Sequence, residues 1–254
     1  MPSESCPACG GSGWKIVERD EVSAAERCDC LSGARSRSLR AEASIPPRYA
    51  EASLKNFRAR GMPADEQELK HTLVLLGRFI ADFPALERPG LLLMGETGTG
   101  KTHLAVAVLR ELIGRGFSGL FCDFQFLLNR IRSSYDESSG SPDRDLYRSA
   151  LDTDILLLDD LGAQRGTEWA EDTVASIVTH RCNQKKALFA TTNLPDPDAP
   201  DAFGRKMAGV ATDYRRTLAD QIGGRARSRL FEMCTVIRLP AIEDYRVAAS
   251  RGSR

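Results

Sequence analysis

The sequence has no excess of charge of either sign: Lys plus Arg and Asp plus Glu both number 35 among 254 residues. A uniformly basic surface is therefore excluded, and any nucleic-acid site must be local. No apolar run approaches the roughly 18 residues that a membrane span needs. The opening residues, MPSESCPACG, contain no apolar core of a secretion signal. We therefore expect a cytoplasmic protein with no membrane partner.

Cysteine is sparse except at the start, where four of the seven cysteines form two tight pairs. In a reducing compartment such pairs indicate metal ligands or redox groups before structural disulfides. Acidic residues outnumber basic ones in residues 1–33, and the reverse holds in residues 34–60. With the break at Ile45-Pro46-Pro47, this predicts a cysteine-rich module (1–33), a basic linker and lead-in (34–60) and a main domain (61–254).

The segment GLLLMGETGTGKTHLAVAVLREL carries the clearest motif. An apolar strand, Gly90–Met94, leads into GxxxxGK[ST], and apolar residues then recur with helical spacing. Strand, glycine loop and helix together predict a phosphate-binding loop, with backbone N–H groups facing the anion. The lysine would contact the β- and γ-phosphates of ATP, and the threonine hydroxyl would bind Mg²⁺. The predicted nucleotide-binding residues of this loop are Gly95, Glu96, Thr97, Gly98, Thr99, Gly100, Lys101 and Thr102.

Two further apolar strands end in polar residues. DILLLDDL places Asp159 and Asp160 at a strand's carboxyl end, where ligands bind in open α/β sheets. Asp159 would hold Mg²⁺ and Asp160 would polarise the attacking water, although such a pair also caps loops. ALFATTNL ends at Asn193, which can orient water or serve as a turn residue. With GLFCDF (119–124) and TVIRL (235–239), these strands predict an α/β fold with a parallel sheet in a three-layer sandwich.

The late segment GGRARSRLFEMC contains Arg225 and Arg229, which share one face if the segment is helical. Arginine suits a transferring phosphate and can act across a subunit interface. A solvated basic face is the alternative.

The motifs GETGTGKTHLA, ILLLDDLG, FATTN and RARSRLFEMC, in this order, resemble the AAA+ ATPases of the DnaC/DnaI helicase-loader and IstB transposition-helper group. The lead-in IPPRYAEASLKNF resembles the same group, so the resemblance spans residues 45–250. It implies a P-loop AAA+ fold and a weak, switch-like ATPase that forms a homo-oligomer when it binds ATP.

The resemblance also implies individual roles. Asn193 would be sensor 1, and Arg225 or Arg229, with Arg229 preferred, would act as an arginine finger in trans. Arg246 would be sensor 2. Tyr49 and Phe57 would lie near the adenine, and both also suit a core. The catalytic set is therefore Lys101, Asp159, Asp160, Asn193, Arg225, Arg229 and Arg246. The segment between Asn193 and Arg225 is longer than the group's pattern.

Members of this group bind single-stranded DNA, and the matching region here is DFQFLLNRIRSSYDESSGSPDRDLYRSA. Asp123 is expected to cap a helix whose buried stripe is Phe124, Leu127, Leu128 and Ile131. Phe126, Arg130 and Arg132 lie off that stripe. Basic and aromatic side chains together suit a single strand, and a solvated helix face is the alternative.

The spacing of Cys6, Cys9, Cys28 and Cys30 supplies four thiolates, which predicts a structural Zn²⁺ site. About thirty residues cannot bury a core alone, so metal binding would supply the folding energy. Two alternatives are the CxxCxGxG repeat of DnaJ-type co-chaperones, here present once, and a redox dithiol.

We expect an ATP-driven loader that binds a replicative helicase through the cysteine module and delivers it to single-stranded DNA. A transposition helper acting on duplex target DNA is the second hypothesis. A general protein-remodelling ATPase is a third.

Overall fold

The structure, a computed structural model, describes residues 7, 9, 14–19, 22–27, 29–58, 63–133, 142–163, 166–196 and 216–240. Within these ranges no helix is both long and apolar enough to cross a membrane. The elements in chain order are β1 (Trp14–Arg19), β2 (Val22–Arg27), α1 (Asp29–Glu42), a 3-10 turn (Pro47–Tyr49), α2 (Pro63–Asp82), β3 (Gly90–Met94), α3 (Lys101–Gly114), β4 (Gly119–Asp123), α4 (Phe124–Ser133), α5 (Pro142–Asp152), β5 (Ile155–Asp159), α6 (Glu168–Asn183), β6 (Ala187–Thr192), α7 (Leu218–Met233) and β7 (Cys234–Arg238).

Five strands form one parallel sheet in the order β4-β5-β6-β3-β7. All five are strands that the apolar runs predict, and the predicted parallel α/β fold is confirmed. Every residue of β3, β5 and β6 is buried, as expected for strands covered on both faces.

Helices cover both faces of the sheet. On one face, Leu91 and Leu93 of β3 pack in a core with residues of α2 and α3. On the other face, Leu92 and Met94 pack in a second core with residues of α4, α5, α6 and α7. Because successive strand residues point to opposite faces, one apolar run serves both cores. The predicted three-layer sandwich is therefore confirmed.

The strand ends place the predicted chemistry on one edge of the sheet. In the parallel registers Met94 pairs with Thr192 and with Arg238, and Asp123 pairs with Asp159. The residues that follow these positions all leave the sheet at its carboxyl edge, where α/β proteins bind ligands.

The chain before the sheet contains a hairpin and a helix. β1 and β2 pair antiparallel, with Trp14 opposite Arg27. Helix α1 runs through residue 33, where we predict the first domain boundary. Just after α1, Ala43 is buried in the core and its carbonyl accepts a hydrogen bond from the Phe121 N–H at 2.8 Å. Part of the predicted linker is therefore helical and docked on the ATPase fold, while the domain limits themselves stay predictions.

Arg181 of α6 is a fully buried arginine that the sequence pattern did not single out. Its guanidinium donates to five backbone carbonyls, at distances from 2.6 to 3.3 Å. These carbonyls belong to the end of α5, the turn into β5 and the start of β6: Ala150, Leu151, Thr153, Asp154 and Ala187. Burial lowers the pKa of Arg181 to about 10, and Asp154 and Asp152 oppose that shift, so the side chain is charged at neutral pH.

Candidate active site

The glycine loop joins β3 to α3 as the motif predicts. Gly100 caps α3 with φ of 91°, in the left-handed region that favours glycine. A Cβ at this residue would lie 2.5 Å from Cε2 of Phe57, so the aromatic ring itself requires glycine there. The Thr99 hydroxyl donates to the Glu96 carbonyl at 2.9 Å and closes the loop. Backbone N–H groups at the start of a helix can bind an anion, and we predict this role for the start of α3.

Lys101 is buried at the centre of this loop. Its Nζ donates to the carbonyls of Gly95 at 2.9 Å and Glu96 at 2.7 Å. The ammonium group therefore lies inside the loop that we predict binds phosphate. Its role toward phosphate stays a prediction.

Thr102 and Asp159 are brought together, although 57 residues separate them. The Thr102 hydroxyl donates to Asp159 Oδ1 at 2.8 Å, and the Thr191 hydroxyl donates to the same oxygen at 2.7 Å. Burial raises the pKa of Asp159, and the hydrogen bonds from Thr191 and Thr102 act in the opposite direction. A hydroxyl beside a buried carboxylate is the hard-oxygen donor set that Mg²⁺ prefers, so these residues fit the ion.

Asp160 is exposed beside buried Asp159 and has a positive φ of 54°. Its backbone N–H donates to the Thr191 hydroxyl at 3.0 Å. One hydroxyl therefore fixes both acids: it donates to Asp159 and accepts from the backbone of Asp160. The pair thus has two environments, one carboxylate buried among hydroxyls and one facing solvent at the edge of the sheet.

Thr191 is a functional-site residue that sequence reasoning missed. It and Thr192 are completely buried at the end of an otherwise apolar strand. Thr192 donates from its hydroxyl to the Leu161 carbonyl at 2.8 Å, and the Leu161 N–H donates to the Thr191 carbonyl at 2.8 Å. Two hydroxyl residues ending a buried apolar strand are the signal that could have found them.

Asn193 is exposed and follows β6 directly. Because Met94 pairs with Thr192, and the Gly95 N–H donates to the Thr192 carbonyl at 3.3 Å, Asn193 leaves the sheet beside the first glycine of the loop. This position agrees with the predicted sensor role, which stays a prediction.

Of the two aromatic residues predicted near the adenine, Phe57 lies against the glycine loop at Gly100. His103 holds this lead-in: its Nε2 lies 3.1 Å from the Ser53 carbonyl and 3.1 Å from Asn56 Oδ1. The His103 and Phe57 rings are 5.5 Å apart. Both Phe57 and Tyr49 pack against the core, and the Arg48 guanidinium lies over the Tyr49 ring.

The predicted arginines lie on α7. Arg225 and Arg229 are exposed, and Arg229 donates to Glu232 Oε2 at 2.6 Å on the same helix. Arg227, between them, instead binds the carboxylate of Asp196. Arg246 lies outside the described residues.

Helix α4 has the cap and stripe that the sequence predicts. The Phe126 N–H donates to Asp123 Oδ1 at 2.8 Å, and the four stripe residues are buried. Phe126 is 55% exposed, with the Arg130 guanidinium 5.7 Å from its ring. The Arg132 guanidinium lies 5.9 Å from the ring of Trp169, a residue that the sequence pattern did not select.

The predicted zinc ligands fall largely beyond the described part of the chain. Cys6 and Cys28 lie outside it, and the side chain of Cys30 in α1 is not described. Cys9 is half-buried. The zinc site therefore stays a prediction.

Substituting Gly100 by alanine should weaken ATP binding. The new methyl would require the left-handed backbone and displacement of Phe57, at a cost of roughly 1–3 kcal/mol. Titration with a fluorescent ATP analogue measures the loss.

The control is Gly77→Ala, where the methyl meets nothing within 4 Å. That change inside α2 should add about 0.5–1 kcal/mol of stability and leave ATP affinity unchanged. Wild-type affinity in Gly100→Ala would contradict the predicted loop function.

A parallel sheet with this glycine loop and a pair of acids at its carboxyl edge defines an AAA+ P-loop ATPase. Residues 74–212, more than half of the sequence, match the model of the IstB-like ATP binding protein family. The chain belongs to this family.

Two relatives and one solved structure show what the chain is similar to. The phage-like element PBSX protein XkdC of Bacillus subtilis is 23% identical over 82% of this chain and 80% of its own length. The replicative helicase loader DnaC of Escherichia coli is 24% identical over 64% of each chain. A crystal structure of the DnaC helicase loader superposes with a TM-score of 0.61 at 27% identity, covering 77% of this chain and all of that one. The chain thus spans less than two thirds of the full DnaC sequence.

Proposed function

We propose that the protein is an ATP-controlled loader that delivers a replicative DNA helicase to single-stranded DNA during replication initiation. The observation that carries this proposal is the likeness to the DnaC helicase loader, whose solved chain is covered completely at 27% identity. The site adds the parts that an ATP switch needs: a glycine loop, a buried acid with two hydroxyl partners and an exposed acid beside it.

The residues of the site divide the work of ATP hydrolysis. Lys101, which now donates to two loop carbonyls, would donate to phosphate oxygens, and Thr102 and Asp159 would hold Mg²⁺. Asp160, exposed at the edge of the sheet, orients water and accepts its proton. Asn193 reads the terminal phosphate from the end of β6. Bound ATP supplies the phosphoryl group, and Mg²⁺ neutralises the charge that develops on it.

The exposed arginines of α7 act on a neighbouring copy of the chain. Arg225 and Arg229 are both exposed in the single chain, so both are available to a phosphate outside it. Their action in trans would make the ATP-bound form a homo-oligomer, which ATP hydrolysis then releases. Arg229 stays our first choice for the finger, and Arg246 stays the candidate sensor in cis.

Single-stranded DNA would bind along α4. Phe126 offers an exposed ring for stacking, with Arg130 beside it, and Arg132 and Trp169 form a second arginine–aromatic pair. Stacking tolerates any base, and arginine contacts the phosphates, so this surface suits single strands without sequence preference.

Removing both arginines of this surface should weaken DNA binding and flatten its salt dependence. Each phosphate contact on a single strand contributes about −0.7 to the slope of log affinity against log salt, so Arg130→Ala with Arg132→Ala should make the slope less negative by about 1.4. Fluorescence anisotropy with labelled oligonucleotides at several salt concentrations measures it. The matched control is Arg78→Ala with Arg88→Ala, two exposed arginines elsewhere. An unchanged slope in the α4 variant would exclude this surface.

The cysteine module would hold one Zn²⁺ and form the surface that binds the helicase. Metal analysis of the purified protein should give about one zinc per chain, since four thiolates complete a closed structural site. Replacing the four cysteines by serine should remove the zinc and leave ATP binding intact. Metal-free wild-type protein would contradict the assignment.

A pull-down with the replicative helicase of the same host tests the loader proposal. The full chain should capture the helicase, and a chain without residues 1–44 should lose it while still binding ATP. Because Ala43 packs in the core, a second truncation that retains residues 35–254 controls for damage to the fold. Failure of the intact protein to capture the helicase would count against a loader.

A transposition helper is the second candidate, because the matching family model is described as IstB-like. Such a protein would share the ATPase chemistry and prefer duplex target DNA. Competition between bent duplex and single strands distinguishes the two, and preference for the duplex would favour the helper. Either function belongs in the cytoplasm, where we propose the protein acts.

A further inference from the structure

Asp196 is a buried acid beyond the active-site motifs, only 2% exposed. Its two carboxylate oxygens accept from Arg227, Oδ2 from Nε at 2.5 Å and Oδ1 from Nη2 at 2.7 Å. This two-bond geometry fixes direction as well as distance, and a lysine cannot reproduce it. Arg227 is also 4.9 Å from the ring of Phe231, which further limits its position. Arg227 is therefore fixed on a buried acid, whereas Arg225 and Arg229 are exposed and Arg229 pairs with Glu232 at the surface of the same helix.

Asp196 stands three residues after Asn193, and the intervening segment is tied to α7 at a second point. The N–H of Leu218, the first residue of α7, donates to the Pro195 carbonyl at 3.0 Å. Pro195 and Asp196 thus hold α7 at its beginning and, nine residues later, at Arg227, on opposite sides of a kink at Gly223 (φ of 77°). The end of the sensor strand is therefore joined, through Asp196, to the part of α7 that carries the arginines.

A third element meets at the same residue. The Arg238 Nη2 donates to the Asp196 carbonyl at 2.5 Å. Arg238 ends β7 and pairs in register with Met94, the residue before the glycine loop. The next residue, Leu239, donates from its N–H to the Met94 carbonyl at 2.8 Å. Asp196 therefore connects the end of the sensor strand, the arginine helix and the strand that borders the glycine loop.

We infer that Asp196 and Arg227, which we call the clamp, are positioning residues that orient the exposed arginines of α7 toward the neighbouring subunit. A displacement at Asn193 or at the glycine loop is transmitted to α7 through this ion pair. Asn193 lies three residues before Asp196, and the glycine loop follows Met94, whose strand partner Arg238 donates to the Asp196 carbonyl. This inference rests on the proposed action of Arg225 and Arg229 in trans. It adds the device that would make that action depend on the chain's own nucleotide.

The buried carboxylate explains why the connection is specific. A buried acid is tolerated only when its oxygens are paired, and here a guanidinium satisfies both. Replacing Asp196 by asparagine keeps the shape and removes the charge, so α7 loses its fixed direction while the core around it remains filled. When it is assayed unmixed, the Asp196→Asn variant should bind ATP with wild-type affinity. It should hydrolyse ATP about 100-fold more slowly than wild type, since a small misplacement of a catalytic group has an effect of this size.

Subunit mixing separates positioning in trans from damage to the variant's own site. The partner for mixing is Asp160→Asn, which has intact α7 arginines and an inactive site. When the two variants are mixed in equal parts, some Asp196→Asn sites lie next to an Asp160→Asn chain. These sites receive intact arginines from the α7 helix of that neighbour. The ATPase rate should then recover to roughly a quarter of the wild-type rate, because about one interface in four has that composition.

Three further variants complete the experiment. The double variant Arg225→Ala with Arg229→Ala, mixed in the same way, tests the action in trans by itself. Asp172→Asn, which changes an exposed carboxylate of α6, is the matched control and should behave as wild type. Arg227→Lys changes a side chain that is 28% exposed and serves as the second clamp variant if Asp196→Asn does not fold.

Each outcome decides a different point. Recovery in both mixtures supports the clamp. Recovery with the double arginine variant but not with the clamp variants would overturn the clamp and leave the proposed action in trans intact. No recovery in either mixture would contradict the action in trans and the clamp with it. A wild-type ATPase rate in the unmixed Asp196→Asn and Arg227→Lys variants would also overturn the clamp.

Discussion

The Asp160→Asn variant should bind ATP with wild-type affinity and hydrolyse it at least about 100-fold more slowly, the effect typical of losing a positioned general base. Asp160 is exposed at the carboxyl edge of the sheet, and the Thr191 hydroxyl fixes its backbone, so asparagine can occupy the same place. What disappears is the charge that accepts a proton from water. Phosphate release measures the rate, and a fluorescent ATP analogue measures the affinity.

Asp159→Asn is the informative comparison, because this neighbouring acid has a different environment. Asp159 is buried and receives two hydroxyl hydrogen bonds, which indicates binding of Mg²⁺ rather than contact with water. Its asparagine variant should lose the Mg²⁺ dependence of nucleotide binding as well as hydrolysis. If Asp160→Asn retained more than roughly a tenth of the wild-type rate, the assignment of the base would be wrong.

The second large effect concerns stability rather than catalysis. Arg181→Met should lower the free energy of unfolding by roughly 3–5 kcal/mol, because five backbone carbonyls lose their common donor in the interior. The melting temperature should fall by roughly 6–20 °C for a chain of this size. Thermal unfolding followed by circular dichroism measures the change.

Two variants control for this prediction. Arg78→Met removes an exposed arginine of α2 and should change stability by no more than about 0.5 kcal/mol. Arg181→Lys keeps the charge but cannot reach carbonyls in α5, the following turn and β6 together. It should therefore be less stable than wild type and more stable than Arg181→Met. Equal melting temperatures for wild type and Arg181→Met would show that the five hydrogen bonds are not needed.

The parts that the sequence predicted are those encoded by adjacent residues. The strand, glycine loop and helix around Lys101 form one continuous segment, and each of the five strands predicted from an apolar run is present. The cap at Asp123 needs only the N–H of Phe126, three residues away. Such local patterns depend on backbone geometry and burial, which a sequence displays directly.

The parts that it did not predict depend on residues far apart in the chain. Thr191 contacts Asp159 across 32 positions, and Arg181 binds carbonyls up to 31 positions away. Asp196 and Arg227 are likewise 31 residues apart. Apart from the two hydroxyl residues that end β6, nothing near these residues marks them, because their contacts depend on how distant parts of the chain pack together. That order, in which β3 lies between β6 and β7, also does not follow from local pattern.

Loading of the host's replicative helicase onto circular single-stranded DNA tests the central claim most directly. The substrate is a closed circle coated with single-strand binding protein and carrying one annealed oligonucleotide, so that only a helicase placed on the circle can release it. We expect release to require this chain and ATP, to increase with the amount of chain until it saturates, and to be lost in the variant without residues 1–44. Equal release of the oligonucleotide with and without the chain would contradict the claim that it is a helicase loader.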